Sequence, residues 1–317
     1  MTTDPNFLNP LINPIFFQIL TRFIWVFIAG LILIFILNKF RFSGLFSGEL
    51  GKRYLSWLVI GFIYMLFVLL GGIPAISFLF VVMTLAVWEI YKMAKLPQVY
   101  FYSLVFLALA SVIISSFFEA KFYMLPILFF AILTFITVRR NEIKGFSYLT
   151  ISLYSSIWII FFLCHFTLLG HLNNGLDNTK SLLFLVGFAV PLADIGAYVF
   201  GKIFSKIETL NKFKIASNIS PKKIWAGMFG DIIGAGVGIL IMYFAIESYF
   251  SAIQLVLLAI IIGIFSVIGD MNESLVKRYF GVKDSSNMIP GHGGILDRID
   301  SVLRVIVIVY YFSLAIL

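Results

Sequence analysis

The chain has 317 residues, of which 61% are hydrophobic and 12% are charged, and its mean hydropathy is +1.05. A soluble domain carries about 25% charged residues, so this composition excludes a soluble globular protein. The formal net charge of +8 is explained by basic cytoplasmic loops close to anionic headgroups of membrane lipids, and we expect no nucleic-acid partner.

Apolar runs follow one another along the chain after a polar segment at residues 1–13. Each run is close to the roughly 20 residues that a helix needs to cross the hydrocarbon, and far longer than a barrel strand. Gly71, Gly72 and Pro74 indicate a turn that divides one long apolar region into two runs. The sequence predicts an all-α integral membrane protein with about ten transmembrane helices. The runs lie near residues 14–38, 54–71, 74–91, 99–118, 122–138, 147–170, 181–200, 227–247, 252–269 and 301–317.

The basic residues give these helices a direction. With the N-terminus outside, all but four of the 23 Lys and Arg fall in cytoplasmic loops, as the positive-inside rule requires. This predicts that Lys144, Lys212 and Lys283 face the cytoplasm, whereas Asn173 and Lys180 face the opposite side.

A first polar segment lies at residues 194–227. Asp194 lies inside an apolar run, where an acidic residue is functional by default. Lys202, Lys222 and Lys223 follow on a predicted cytoplasmic loop and could neutralise phosphates, and the Ser-Pro pair at 220–221 opens a turn whose backbone can approach them. This segment is therefore a candidate phosphate-binding region.

Small and acidic residues follow in the next run. Gly230, Gly234 and Gly238 keep a four-residue spacing that predicts close packing against another helix. Asp231 could be a metal ligand or a carboxylate that favours a helix N-terminus, and the sequence leaves both readings open.

A second polar segment lies at residues 270–300 and contains five of the fifteen Asp and Glu residues. Read as helix, Asp270, Ser274 and Lys277 share one face, and Asp297 and Asp300 share a face of the next helix. The intervening glycines and proline predict a turn that folds the two faces together.

The chemistry of these side chains indicates a reaction on phosphates. The carboxylates of Asp270, Asp297 and Asp300 repel one another unless a cation lies among them, and hard oxygen ligands favour Mg²⁺. Nearby cations supply donors suited to phosphate. They are Lys277, Arg278, Lys283 and Arg298. A divalent-ion site beside phosphate donors is typical of phosphoryl or nucleotidyl transfer.

Four sequence patterns connect the chain to a known family. S-x-x-K-R-x₄-K-D begins at Ser274 and P-G-H-G-G-x-x-D-R-x-D begins at Pro290. D-x-x-A-Y-x-x-G-K begins at Asp194, and a pattern similar to S-P-x-K-T-W-E-G begins at Ser220. This set resembles the signature of the phosphatidate cytidylyltransferases, the CDP-diacylglycerol synthases. The resemblance is strong over about residues 190–300 and only architectural before them.

The resemblance implies transfer of a cytidylyl group from CTP to phosphatidate, which gives CDP-diacylglycerol and pyrophosphate for phospholipid synthesis. Asp270 and Asp297 are then expected to bind Mg²⁺, with Asp300 as a third or supporting ligand, and a second cation such as K⁺ is implied by the family alone. Ser274, Lys277, Arg278 and Arg298 complete the expected catalytic set. The expected substrate- and nucleotide-binding residues are Asp194, Tyr198, Lys202, Ser220, Lys222, Lys223, Lys283, His292, Gly293 and Gly294.

Some assignments stay open. His292 is either a turn residue or a phosphate donor, and Glu273 and Asp284 are expected to be salt-bridge partners of neighbouring lysines. Ile224 and Ala226 stand where the family usually has Thr and an acid or amide, so a relative with another lipid phosphate or nucleotide is an alternative. A lipid transporter or scramblase is a second alternative, although no line of acidic residues crosses the membrane.

The polar residues divide the chain into two parts. Residues 1–172 are expected to form an N-terminal transmembrane scaffold of about six helices, and residues 173–317 a catalytic transmembrane region with cytoplasmic loops at 201–226 and 270–300. We expect a multi-pass protein of the inner (cytoplasmic) membrane whose active site lies at the cytoplasmic face of the C-terminal helices. A homodimer is left open.

Overall fold

A computed structural model describes residues 15–37, 49–172, 179–289 and 293–317. These residues are almost entirely helical. They include a 3₁₀ segment, Glu119–Met124, and a π-helical segment, Ser156–Phe161. The α-helices are α1 (Phe16–Leu37), α2 (Glu49–Leu70), α3 (Gly72–Ala94), α4 (Gln98–Phe117), α5 (Leu125–Arg140), α6 (Gly145–Ser155), α7 (Phe162–His171), α8 (Thr179–Phe204), α9 (Glu208–Asn211), α10 (Trp225–Ile246), α11 (Ala252–Tyr279) and α12 (Leu296–Ile316).

The predicted transmembrane runs are all helical. Within the described residues, nine helical stretches are long and apolar enough to cross a membrane, and a shorter apolar helix, Tyr54–Leu70, occupies the second predicted run. Large apolar side chains such as Trp25, Ile127 and Leu240 are exposed on the outer faces of the helices, as lipid-facing side chains are. The prediction of an all-α, multi-pass membrane protein is confirmed, with one small hairpin added.

That hairpin lies between α9 and α10. Its strands, β1 (Lys214–Ala216) and β2 (Ser220–Ile224), are antiparallel, with Lys214 opposite Ile224 and Ala216 opposite Ser220. The regions predicted as cytoplasmic loops also contain more helix than expected, since α8 continues to Phe204 and α11 to Tyr279.

Local signals explain where several helices end. Gly71 and Gly72 adopt positive φ angles of 63° and 43°, so the predicted turn separates α2 from α3. Lys95 ends α3 in the left-handed conformation, and Pro97 then prevents the helix from continuing. Asn141 ends α5 in the same way, with φ 48°.

Contacts between distant segments show which helix ends share a side. The Nζ of Lys180 donates a 2.8 Å hydrogen bond to the carbonyl of Leu69, and Nδ1 of His171 lies 2.9 Å from Oε1 of Glu119. These residues all belong to segments predicted to lie on the outer side. The contacts agree with the prediction that successive helices cross the membrane in opposite directions. The assignment of one side to the cytoplasm stays a prediction.

Glycine crossings fix the four C-terminal helices against one another. A Cβ atom at Gly196 of α8 would meet the backbone of Gly230 of α10, and one at Gly234 would meet the backbone of Leu192. The predicted close packing at these glycines is confirmed. Helices α11 and α12 cross at Gly269, where a Cβ atom would lie only 2.6 Å from the carbonyl oxygen of Asp300. This crossing places polar residues of both helices side by side.

Candidate active site

A cavity of about 1050 Å³ lies between α8, α10, α11, α12 and the β-hairpin. The predicted site residues that line it are Asp194, Tyr198, Lys202, Lys223, Asp270, Lys277, Lys283, Gly293, Asp297, Arg298 and Asp300. The predicted residues Ser220, Ser274, Arg278 and Gly294 are not among the lining residues. His292 and the side chain of Lys222 lie outside the described residues.

Three carboxylates meet at the crossing of α11 and α12. Asp270, Glu273 and Asp300 each offer an oxygen atom, and these atoms all lie within 4.8 Å of one another. Glu273 is 1% exposed, and no donor among the described residues bonds to its Oε1. A buried carboxylate oxygen without a donor fits a hard cation, so these residues could hold Mg²⁺.

Asp297 lies beside this group but has other partners. Its Oδ1 accepts a 2.6 Å hydrogen bond from Nζ of Lys277. Its Oδ2 accepts from the backbone N–H and the hydroxyl of Ser285, at 3.0 and 2.6 Å, and from the N–H of Gly294 at 2.7 Å. A metal-binding role of Asp297 therefore stays a prediction. Glu273 forms the expected ion pair with Lys277 and also belongs to the three-carboxylate group.

The cations around the cavity fall into two sets. Lys277 is held by Glu273 and Asp297, and Nζ of Lys223 on β2 lies 2.5 Å from Oδ2 of Asp270. The second set has no ion pair within the described part of the chain and is exposed toward the cavity. It consists of Lys202, Lys283 and Arg298. These three cations are available to phosphate groups. Lys214 also lines the cavity, but it is half-buried and its Nζ donates a 2.6 Å hydrogen bond to Oδ1 of Asn211.

Two further acids line the cavity on the side of α8 and α10. Oδ1 of Asp194 accepts hydrogen bonds from the hydroxyls of Ser266 at 3.1 Å and Ser301 at 3.5 Å, which ties α8 to α11 and α12. Asp231 is 4% exposed and is the seventh residue of α10. The field of a helix N-terminus falls off within the first turn, so the position of Asp231 favours a role in the cavity.

Sequence reasoning missed Glu89 of α3. This side chain is completely buried, and residues of the segment 285–296 donate hydrogen bonds to both of its oxygens. The signal was present, because Glu89 is an acid inside an apolar run, which is unusual without a function. The site is thus not built from the C-terminal helices alone.

The two departures from the family pattern lie in different places. Ile224, at the end of β2, is 2% exposed and lines the cavity. Ala226, in the first turn of α10, is not among the lining residues. A missing hydroxyl at position 224 therefore bears more directly on a bound ligand than a missing polar group at position 226.

Comparisons with known proteins agree with this geometry. The model of a family described as the cytidylyltransferase family matches residues 51–316. The chain is similar to a phosphatidate cytidylyltransferase of Bacillus subtilis, with 29% identity over 268 residues that cover 83% of this chain and 97% of the relative. It is also similar to the enzymes of the same name from Synechocystis, at 42% identity over 44% of this chain and 45% of the relative, and from Pseudomonas aeruginosa, at 40% identity over 40% of this chain and 45% of the relative.

Proposed function

Because the chain belongs to the cytidylyltransferase family, we propose that it transfers a cytidylyl group from CTP to phosphatidate and releases pyrophosphate. The observation that carries this proposal is the cavity, in which carboxylates and phosphate-binding cations meet at one end of a membrane-embedded helix bundle. The similar bacterial proteins are named phosphatidate cytidylyltransferases, which supports the choice of both substrates.

The reaction makes few demands on acid–base chemistry. An oxygen of the lipid phosphate attacks the α-phosphorus of CTP, the bond from that phosphorus to the bridging oxygen of the β-phosphate breaks, and pyrophosphate leaves. The attacking phosphate is already an anion at neutral pH, so no strong general base is required. Catalysis then depends on positioning and on the neutralisation of negative charge.

The cavity residues divide these tasks. Lys202, Lys283 and Arg298 bind the phosphates of CTP and of the lipid, because they line the cavity without a carboxylate partner among the described residues. Lys223 of the hairpin pairs with Asp270 and contributes positive charge beside the carboxylate group. Lys277 orients Glu273 and Asp297 and contributes positive charge close to both phosphates.

A divalent cation fits the three-carboxylate group. Asp270, Glu273 and Asp300 would hold Mg²⁺, with Asp297 adjacent to them, and the ion would supply charge neutralisation for the phosphates. The role of Asp297 as a direct ligand is retained as a prediction, and the K⁺ site is implied by the family resemblance alone.

The membrane location explains how such different substrates meet. The acyl chains of phosphatidate stay in the bilayer while its headgroup enters the cavity at the membrane surface. The positive-inside distribution of Lys and Arg supports a cytoplasmic position of that cavity, on the side where CTP is available.

Labelled nucleotide distinguishes the proposed reaction from other phosphate chemistry. Purified protein should convert phosphatidate and CTP labelled at the α-phosphorus into a labelled lipid, whereas label at the γ-phosphorus should appear only in pyrophosphate. Transfer of the γ-label to lipid, or turnover with another nucleotide and not with CTP, would contradict the proposal.

A further inference from the structure

Glu89 occupies an unusual position in the N-terminal half of the protein. It lies on α3, a helix of the predicted scaffold, and none of its surface is exposed. Within the described residues it does not line the cavity. A buried, ionised carboxylate in a membrane protein is costly unless every lone pair has a donor. Hydrogen-bond donors must therefore compensate for the cost of burying the Glu89 carboxylate.

The described partners of Glu89 come from the connection between α11 and α12 and from the first residue of α12. Oε1 accepts hydrogen bonds from the hydroxyl of Ser286 at 2.7 Å and from the N–H of Ile295 at 2.8 Å. Oε2 accepts from the hydroxyl of Ser285 at 2.9 Å and from the N–H of Leu296 at 2.8 Å. The four donors use the full acceptor capacity of one carboxylate.

Two of these donors are the N–H groups at the start of α12. The first N–H groups of a helix have no partner within the helix, and the positive end of the helix dipole favours an anion there. Glu89 supplies that anion from another helix. It thereby fixes the start of α12, whose first two turns carry Asp297, Arg298 and Asp300.

A shared serine connects Glu89 to Asp297. Oγ of Ser285 lies 2.9 Å from Oε2 of Glu89 and 2.6 Å from Oδ2 of Asp297, so the two carboxylates share its one hydroxyl proton. Gly294 lies between the same groups, and a Cβ atom there would meet the Ser285 hydroxyl and Oε1 of Glu89. Any displacement of Glu89 is therefore passed directly to Asp297.

We propose that Glu89 is a positioning residue that holds Ser285, Ser286 and the start of α12, and through them Asp297, in place for cytidylyl transfer. It acts through Ser285 and the first N–H groups of α12 and does not touch the substrates. The proposal rests on the proposed function for its kinetic part, whereas its structural part is independent of any substrate.

The Glu89→Gln variant tests both parts. Glutamine has nearly the same shape but only one acceptor oxygen, so its NH₂ group faces donors that it cannot bond. Hydrogen–deuterium exchange should show faster exchange of the amides of Ile295 and Leu296, while α4 and α5 keep their protection. We expect kcat to fall about tenfold to hundredfold, because a displacement of about 1 Å can cost a factor of 10². The KM for CTP should change less than about threefold.

Two further variants control the experiment. Glu119→Gln changes a glutamate that lies beside His171 at the other end of the bundle, and it should leave both exchange and kcat unchanged. Ser286→Ala removes one of the four donors to Glu89 and should act in the same direction as Glu89→Gln, with a two- to fivefold loss of kcat. If Glu89→Gln does not fold, the Ser286→Ala variant tests the positioning role of Glu89 in its place.

The outcomes separate this inference from the proposed function. If the wild-type protein makes no CDP-diacylglycerol, the proposed function fails, and the exchange data still decide the role of Glu89. Unchanged protection of the amides of Ile295 and Leu296 in Glu89→Gln would overturn the inference. Faster exchange spread over all helices would also overturn it, because it would show a general structural role. If a folded Glu89→Gln or Ser286→Ala variant keeps full activity, the kinetic part of the inference, a role of Glu89 in cytidylyl transfer, is wrong.

Discussion

Asp297 is the most heavily bonded acid of the cavity. Four donors approach its two oxygens: Nζ of Lys277 on α11, the N–H and hydroxyl of Ser285, and the N–H of Gly294. An acid held in this way cannot turn without breaking several hydrogen bonds. Its charge and orientation are therefore fixed before any substrate binds, as electrostatic catalysis requires.

Asp297→Asn should abolish most of the turnover with little loss of folded protein. Asparagine keeps the shape but removes the negative charge and places an NH₂ group against donors. Lys277 keeps Glu273 as a partner, so no unpaired cation is left in the membrane. We expect kcat to fall about 10²-fold or more, measured with labelled CTP on purified protein.

Asp284→Asn is the matched control for that variant. Asp284 lines the cavity and is exposed, and no metal role was predicted for it. Its turnover should stay within about fivefold of the wild type. Equal losses in the two variants would show that the assignment of roles is wrong.

Ile224 offers a test of nucleotide binding. Ile224→Thr introduces a hydroxyl into the cavity lining where the family pattern usually has one. A hydrogen bond contributes about 0.5–1.5 kcal/mol, so the KM for CTP should fall up to about tenfold while kcat changes little.

Substitutions at neighbouring positions show whether the effect on the KM for CTP depends on where the new polar side chain lies. Ala226→Glu should lower the KM for CTP less than Ile224→Thr, because Ala226 does not line the cavity. Ile219→Thr, in the turn of the same hairpin and away from the lining, should have no effect. A KM that does not respond to Ile224→Thr would favour a relative that uses another nucleotide or lipid.

Among the helices, the pair α8 and α10 depends on glycine for its close approach. Gly230→Ala should separate the two helices, because its Cβ would meet the carbonyl of Gly196. Overpacking costs about 1–3 kcal/mol, which exceeds the gain of about 1 kcal/mol from the better helix propensity of alanine. We expect a lower melting temperature in detergent and lower activity, because Asp194 and Asp231 move apart.

Gly236→Ala is the control that separates overpacking at the helix crossing from the higher helix propensity of alanine. It lies on the same helix, but its Cβ would be 3.9 Å from the Cβ of Ala259, which is an ordinary contact. The melting temperature should stay the same or rise slightly. A decrease as large as that of Gly230→Ala would show that the crossing is not the cause.

Local patterns were sufficient to predict the helices and much of the cavity. Hydropathy located all ten runs, and helical spacing put Asp270 and Lys277 on one face. Periodicity assigns a residue to a face but does not identify the residue that faces it from another helix. The ion pair of Lys223 with Asp270 and the contact of Glu89 with Ser285 join distant segments, and no local pattern reveals them.

The carboxylates near Lys277 also show that spacing along one helix does not identify contacts with another helix. Asp297 and Glu273 are both near Lys277, and the sequence favoured Asp297 as the metal ligand. The structure places Glu273 in the three-carboxylate group, because the crossing at Gly269 sets the separation of α11 and α12. That separation depends on packing between helices and is absent from the spacing of either helix alone.

For the molecule as a whole, single-cysteine labelling tests the orientation in the membrane. After Cys164 is replaced by Ala, Lys212→Cys should react only with a reagent that reaches the cytoplasm, and Lys121→Cys should react from the outside of intact cells. Both lysines are exposed, so access does not limit the reaction. Lys180 is predicted on the outer side as well, but its side chain bonds to Leu69 and makes it a poor labelling site. Asn173 lies outside the described residues. Labelling of both positions from the same side would contradict the ten-span topology.

The bond between Glu89 and the start of α12 also has a consequence for biogenesis. The two partners are 207 residues apart, so α3 enters the membrane long before the ribosome has made Leu296. During that interval the carboxylate of Glu89 has no donors from the 285–296 segment, and the nascent chain holds an acidic group that is costly in lipid. We therefore expect α3 to reach its final, fully hydrogen-bonded state only after α12 has been made and has packed against it. A chain truncated before residue 285 would expose this acid permanently, which makes it a target for membrane proteases.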